Sequence, residues 1–353
     1  MGRPLKLLKR TNRKTFLIRV DGDDNLTGQG HLRRMLSLAH ALKNKNCKAI
    51  FLSRKTPVAH RCLSLFNVPV RWFPISTPES FIAEETKKWI GKHRYSSFVI
   101  LDLQRILRKT IRLYRDLGTT LFAMTENSKR SSSKVRTINC HKATGGRYPW
   151  ALIDPAYKKN RALAAKSRKI ESTVKNILIS LGGSDPSGGT PKVLNALKKL
   201  RLDQKIHVII PKAYRHQKTF WRCFNSFPHK IRVYHHIKNM ASFLKKIDLA
   251  IISGGMTRYE AACLGIPAIV ITQNKEQESL SKPFCKVTGQ IYMGSVKTLS
   301  NSQLENQVWK LLDSPRERKK IKTKSLRVVD GEAAKRIATF ILANSQMALN
   351  RTK

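Results

Sequence analysis

The chain has 353 residues, 41% hydrophobic and 26% charged, a globular composition that excludes a mainly disordered polypeptide and, at roughly 150 residues per domain, predicts two domains. Its 69 Lys and Arg against 22 Asp and Glu leave a formal charge of +47. No apolar run approaches the roughly 18 residues of a membrane span, and the apolar segment after the basic start, residues 16–20, is too short for a secretion signal. A cytoplasmic protein is expected.

The positive excess is spread through both halves, +27 for residues 1–176 and +20 for 177–353, with local runs at 3–14 and 316–324. Such a field attracts polyanions in general. Its diffuseness predicts weak, salt-sensitive association, including peripheral association with an anionic membrane surface, and no specific nucleic-acid partner. The cysteines Cys47, Cys62, Cys140, Cys223, Cys263 and Cys285 are scattered, with no Cys-x-x-Cys pair and no finger spacing to a histidine. They read as reduced thiols, and neither a metal ion nor a cofactor is expected.

In chain order, short apolar runs alternate with amphipathic segments: strand 15–20, helix 32–43, strand 49–53, helix 58–66, strand 69–73, helix 79–93, strand 97–101, helix 106–117, strand 119–124. This rhythm predicts a parallel sheet covered on both faces. Polar residues 126–136 read as a loop, and the basic, Ala-rich stretch 158–171 as a hinge or linking helix. A second series follows: strand 176–181, helix 191–200, strand 205–210, helix 214–224, strand 231–234, helix 240–246, strand 248–252, helix 258–264, strand 267–272, and three closing helical patterns ending with 331–346. The expectation is an α/β chain of two Rossmann-like, doubly wound domains facing a cleft. Their boundaries are a basic arm 1–14, an N-terminal domain 15–157, a linker 158–175 and a C-terminal nucleotide-binding domain 176–353. In such sheets ligands bind beyond the carboxyl ends of the strands.

Three loops carry the chemistry. Gly28-Gln29-Gly30-His31 opens the first helix; glycines allow close backbone approach, and a histidine in the first turn is a candidate general base. Gly182-Gly183-Ser184-Asp185-Pro186 leaves the first strand of the second series, and reads as a ligand-lining turn or as a plain turn in which Asp185 or Thr190 caps the next helix. Ser253-Gly254-Gly255-Met256-Thr257 enters a helix carrying Glu260. There the N–H groups of Gly255, Met256 and Thr257 suit a pyrophosphate, and Glu260 suits a ribose diol. The next strand ends in polar residues that place Asn274, Glu276 or Gln277 at the same cleft.

Taken with Arg19-Val20-Asp21-Gly22, Leu32-Arg33-Arg34, Gly265-Ile266-Pro267-Ala268 and Val329-Asp330-Gly331, these motifs resemble the UDP-sugar hydrolase family of pseudaminic acid biosynthesis and the related spore-coat polysaccharide proteins. The C-terminal half is also similar to the nucleotide-binding half of the lipid-linked N-acetylglucosaminyltransferase of peptidoglycan synthesis. All share the two-domain GT-B fold. The resemblance implies a metal-independent enzyme that holds UDP in the C-terminal domain, at Gly254, Gly255, Met256, Thr257 and Glu260, while water activated by His31 attacks the anomeric carbon of an acetamido sugar. Gly28, Gly30, Arg34, Gly182, Gly183, Ser184, Asp185, Asn274, Glu276 and Gln277 are the expected cleft residues. Surface-glycan or nonulosonic acid biosynthesis would be the setting. A glycosyltransferase using a UDP-sugar donor, and a non-catalytic basic protein that binds nucleic acid or membrane, are the alternatives. This chain departs from the family pattern at Asp102-Leu103-Gln104, Met124-Thr125-Glu126 and Glu276-Gln277, all where the sugar would be gripped.

Overall fold

Apolar runs that do not alternate with polar residues become strands buried on both faces, and Thr15–Val20 (β1) is buried at every position. The computed structural model describes residues 13–22, 29–92, 97–103, 106, 108–115, 117, 119–125, 134–167, 173–212 and 214–350. The chain forms two units. The first comprises Met1–Asp21, Met35–Asn139 and Lys335–Lys353, the second Gly22–Arg34 and Cys140–Ala334. The expected boundaries at 157 and 176 differ from these, because sequence periodicity does not register that the chain returns to its first unit near residue 335.

In the first unit β1 is followed by α1 (Gly30–Lys43, whose first turn belongs to the second unit), β2 (Lys48–Arg54), α2 (Pro57–Ser64), β3 (Val70–Phe73), α3 (Glu79–Lys92), β4 (Ser97–Asp102), α4 (Arg108–Arg115), β5 (Leu121–Met124) and β6 (Val135–Ile138). All pair in parallel, in the order β3-β2-β1-β4-β5-β6. Crossing from β3 back past β1 to β4 makes a topological switch point between β1 and β4. The loop expected at 126–136 ends in strand β6; residues 126–133 lie outside the described residues. The end of β1 is closed by charge. Arg19, with 0% exposure, donates to Asp21 Oδ1 and Oδ2 (2.6 and 2.5 Å) and to Glu79 Oε1 and Oε2 (2.8 and 2.7 Å). Arg54 Nη1 donates to Asp21 Oδ2 at 2.6 Å, and the Tyr114 hydroxyl to Glu79 at 2.7 Å. Burial alone would push both carboxyls up, but the bonds and charge of Arg19, helped by Arg54, hold them below the usual carboxylate range.

The second unit holds α5 (Ala156–Ser167), β7 (Asn176–Ser180), α6 (Gly189–Leu197), β8 (Lys205–Ile209), α7 (Gln217–Asn225), β9 (Ile231–Tyr234), α8 (Met240–Leu244), β10 (Leu249–Ser253), α9 (Thr257–Cys263), β11 (Ala268–Thr272), α10 (Lys275–Thr288), β12 (Ile291–Ser295), α11 (Asn301–Asp313) and α12 (Pro315–Val328). Helix α13 (Ala333–Asn350) leads from it, and from Lys335 onward belongs to the first unit. The stretch 158–171, expected as a hinge or linking helix, is helix α5 as far as Ser167 and lies in the second unit; residues 168–171 lie outside the described residues. After β11 there are four helices and a strand, where three helical patterns were expected. The sheet order, β12-β11-β10-β7-β8-β9, repeats that of the first unit, with the switch point between β7 and β10. Period-2 alternation divides the strands between two cores: Ile177, Ile179, Ile251 and Ile269 enter one, Leu178, Ile252 and Val270 the other.

All six cysteines are buried and none is in a disulfide, and burial pushes Cys263 and Cys285 up to about 12. Among the described residues, no helix is long and apolar enough to cross a membrane and no group of His, Cys, Asp or Glu is placed to hold a metal ion.

Candidate functional site

A cavity of about 280 Å³ opens at the carboxyl ends of β7, β8, β10 and β11, across the switch point of the second sheet. Crossovers leave the two strands at a switch point in opposite directions, so their following loops part and leave a crevice. The turns after β7 and β10 line it through Gly182, Gly183, Ser184, Asp185, Gly255, Met256, Thr257 and Glu260. Gly30 and Arg33 of the α1 first turn, and Asn274 and Gln277 at the start of α10, line it as well. Glu260 is the cavity's carboxylate one turn into α9; burial pushes it up, opposed by the charge of Arg33. Burial pushes the Tyr157 phenol well above its ordinary value, and the neighbouring Glu260 carboxylate adds to the shift.

Asp185 reaches the cavity wall, but its oxygens serve the protein. Oδ1 accepts from the Gly189 N–H (2.8 Å) and Gln273 Nε2 (2.7 Å), and Oδ2 from the Thr190 N–H (2.8 Å) and the Tyr214 hydroxyl (2.6 Å). It thus caps α6, as one reading of the sequence has it, and ties three elements to the β7 turn. These bonds hold it in a left-handed backbone conformation, φ 39°, that a non-glycine residue seldom adopts. Gln273 is the second strut, donating also to Leu181 O and accepting from the Ser187 N–H.

Residues 177–338 match the glycosyltransferase family 28 C-terminal domain. Over 339 residues, 89% of this chain and 94% of the relative, the sequence is 26% identical to the spore coat polysaccharide biosynthesis protein SpsG of Bacillus subtilis. An uncharacterized protein of Methanocaldococcus jannaschii is 35% identical over 148 residues, a match that spans 41% of this chain and only 30% of that protein's length. Among solved structures, MurG of Acinetobacter baumannii superposes with a TM-score of 0.66 at 15% identity, over 94% of this chain and 99% of that one. The chain has the two-domain GT-B fold, and over most of its length its sequence is similar to that of a spore coat polysaccharide biosynthesis protein.

The GT-B frame does not bring every expected residue to the cavity. Gly28 lies outside the described residues. Gly254 is not in the wall; a Cβ there would meet Ser281 Oγ at 2.5 Å and Thr272 Cγ2 at 2.9 Å, so it is a glycine because α10 packs against it. Glu276 is exposed on the first turn of α10, while Asn274 caps that helix through the Gln277 N–H at 2.8 Å. Arg34 is the main correction. It is buried and engages His31 and His141, whereas its neighbour Arg33 lines the cavity. One residue along a helix turns the side chain by about 100°, so only one of two adjacent arginines faces a given cavity. His31 stands in the first turn of α1 but is not among the cavity-lining residues. Sequence reasoning missed Arg33, Gln273, and the rim residues His235, His236 and Ile237 after β9. Gln273 and the rim residues could have been found only from their place just beyond a strand, and Arg33 only from its place in the first turn of α1.

Proposed function

We propose that this protein is an enzyme that releases UDP from a UDP-activated acetamido sugar, with water attacking the anomeric carbon. The observation that carries the reading is the cavity across the β7/β10 switch point, walled by two glycine-rich turns and containing the Glu260 carboxylate. Glu260 is suited to accept hydrogen bonds from a ribose diol. The glycine turns let backbone N–H groups approach the diphosphate, and Arg33 supplies a cation on the same wall. In the reaction the water oxygen bonds to the anomeric carbon, and the bond from that carbon to the β-phosphate oxygen breaks. UDP and the free sugar leave. The resemblance gives the proton-transfer role to His31. Work on a surface polysaccharide or nonulosonic acid, near an anionic membrane that attracts the +47 chain, is the setting this reading implies.

A second reading, transfer of the sugar to an acceptor hydroxyl, is favoured by the match to the glycosyltransferase family 28 domain. One experiment separates them: incubation with a panel of UDP-sugars, with and without acceptor, followed by detection of UDP and free sugar. Both products without acceptor support hydrolysis. UDP release that requires an acceptor and yields no free sugar supports transfer, and no UDP release from any donor sinks both. In calorimetry without added metal, Glu260→Ala should weaken UDP binding by about 1.5–3 kcal/mol, the range for hydrogen bonds to a charged group. Unchanged affinity would move the nucleotide elsewhere.

A further inference from the structure

Arg258, the second residue of α9, is a cation buried without an anion. It is 1% exposed, and among the described residues no carboxylate pairs with it. Its Nη1 donates to Gly255 O at 3.2 Å and its Nη2 to the Tyr259 hydroxyl at 2.8 Å. The rest of its surroundings are aromatic. The guanidinium carbon stands 4.4 Å from the Tyr259 ring centroid and 5.6 Å from that of Phe284, and the two rings meet edge-on with centroids 4.9 Å apart. Ring faces attract a cation without cancelling its charge, and a buried charge is screened far less than one in water.

Arg258 does not line the cavity, but the peptide it holds does. Gly255 O accepts from Arg258 Nη1 and also, at 3.3 Å, from the Arg258 N–H. The Gly255 carbonyl and the Met256 N–H belong to one peptide group, and in the trans form, which it has, they point in opposite directions. The Met256 N–H therefore points away from Arg258, and no described residue accepts from it. Gly255, Met256 and Thr257 all line the cavity. Donation to a carbonyl polarises its peptide group and makes the N–H on the other side a stronger donor.

We infer that Arg258 is a positioning residue for the diphosphate: it fixes the Gly255–Met256 peptide and sets an uncancelled positive charge one peptide behind the cavity wall. Affinity then grows with the negative charge of the ligand, whereas base and ribose, being neutral, gain little. Arg33 also supplies a cation, but it is exposed, so salt weakens its attraction much more than that of Arg258. The inference rests on the UDP reading above and leaves the roles given there to Glu260 and His31 as they are.

The test is a set of binding titrations of the full chain with UDP and with uridine, which has the same base and ribose but no phosphate, at about 0.5 M salt, where exposed charges are largely screened. Arg258→Gln removes the charge and keeps an N–H donor; Arg258→Lys keeps the charge. Arg258→Gln should weaken UDP about tenfold and uridine less than about twofold, and Arg258→Lys should weaken UDP less than about threefold. A folded Arg258→Gln protein that binds UDP as the wild type does, or that loses UDP and uridine equally, overturns the inference and makes Arg258 a packing residue. If Arg258→Gln does not fold, the wild type decides through nitrogen-15 labelling of its methionines, with Met256→Leu identifying the Met256 amide. That amide should shift on adding UDP and stay in place on adding uridine; an amide that UDP leaves unmoved overturns the inference. A wild-type chain that binds no UDP removes the functional reading and this inference with it, whereas UDP bound equally by wild type and Arg258→Gln removes the inference alone.

Discussion

The two sheets have the same strand order, yet the end of the first strand in each has opposite character. In the first unit β1 runs out into Arg19 and Asp21, locked with Arg54, Glu79 and Tyr114. In the second, β7 runs out into Gly182 and Gly183, and the space beyond them is a cavity of about 280 Å³. Topology offers a crevice at both places, and the side chains beside it decide its chemistry. Where charge saturates the strand end the groups are spent on one another; where glycine replaces side chains, the polar wall residues Asp185 and Gln273 bond to the protein and brace the turn.

Breaking the ion-paired end should have the largest effect. Arg19→Met strands two partly buried carboxylates, and loss of one partner of a buried pair costs about 3–5 kcal/mol. Urea unfolding should show that loss, and a change below about 1 kcal/mol would mean that Arg54 alone compensates. At the open end Asp185→Ala orphans donors at the head of α6 and should cost about 2–3 kcal/mol, while also weakening UDP binding although no Asp185 oxygen is available to ligand. Retained UDP affinity in a destabilised variant would show that the turn keeps its shape without the strut.

Acid discriminates between the units more gently. Asp21 and Glu79 are held below their ordinary values of 3.8 and 4.5. Their contribution is present in full above those values and lost as pH falls through the lower folded ones. Melts followed from about pH 5 downward should show the first unit weakening, and the Asp21→Asn, Glu79→Gln double variant should lose that dependence. The smallest effect belongs far from either strand end: Ser314→Ala removes the α12 cap, in which Ser314 Oγ accepts the Glu317 N–H at 3.2 Å, and should cost about 1 kcal/mol. An equal loss at Ser314 and Asp185 would show that the strand-end network is no more than a helix cap.

Strands such as β1, β7, β10 and β11 were legible because continuous apolar runs have no other fate at that length. Two strands were not. β12, with the sequence Ile291-Tyr292-Met293-Gly294-Ser295, is half-buried at a sheet edge and contains a glycine, and β6 is four residues long behind a polar run. At the site, glycine-rich turns after apolar runs announced the cavity walls. The partition between adjacent arginines, and the meeting of Arg34 with His141 and of His141 with Tyr259, 107 and 118 residues apart, depend on tertiary packing that no local pattern encodes. Asp185 shows the middle case, since its residue type announced a polar role and only its partners showed that the role faces inward.

Helix α13 carries a consequence for how the chain comes to exist. From Lys335 it belongs to the first unit, where Lys14 Nζ donates to Ser345 Oγ at 2.9 Å. During synthesis the second unit can assemble as soon as residue 334 has emerged, but the unit begun first must wait for helix α13. Domains ordinarily fold in the order they are made; of these two sheets the earlier to leave the ribosome is the later to be finished, and a fragment cut at residue 157 would leave it without helix α13.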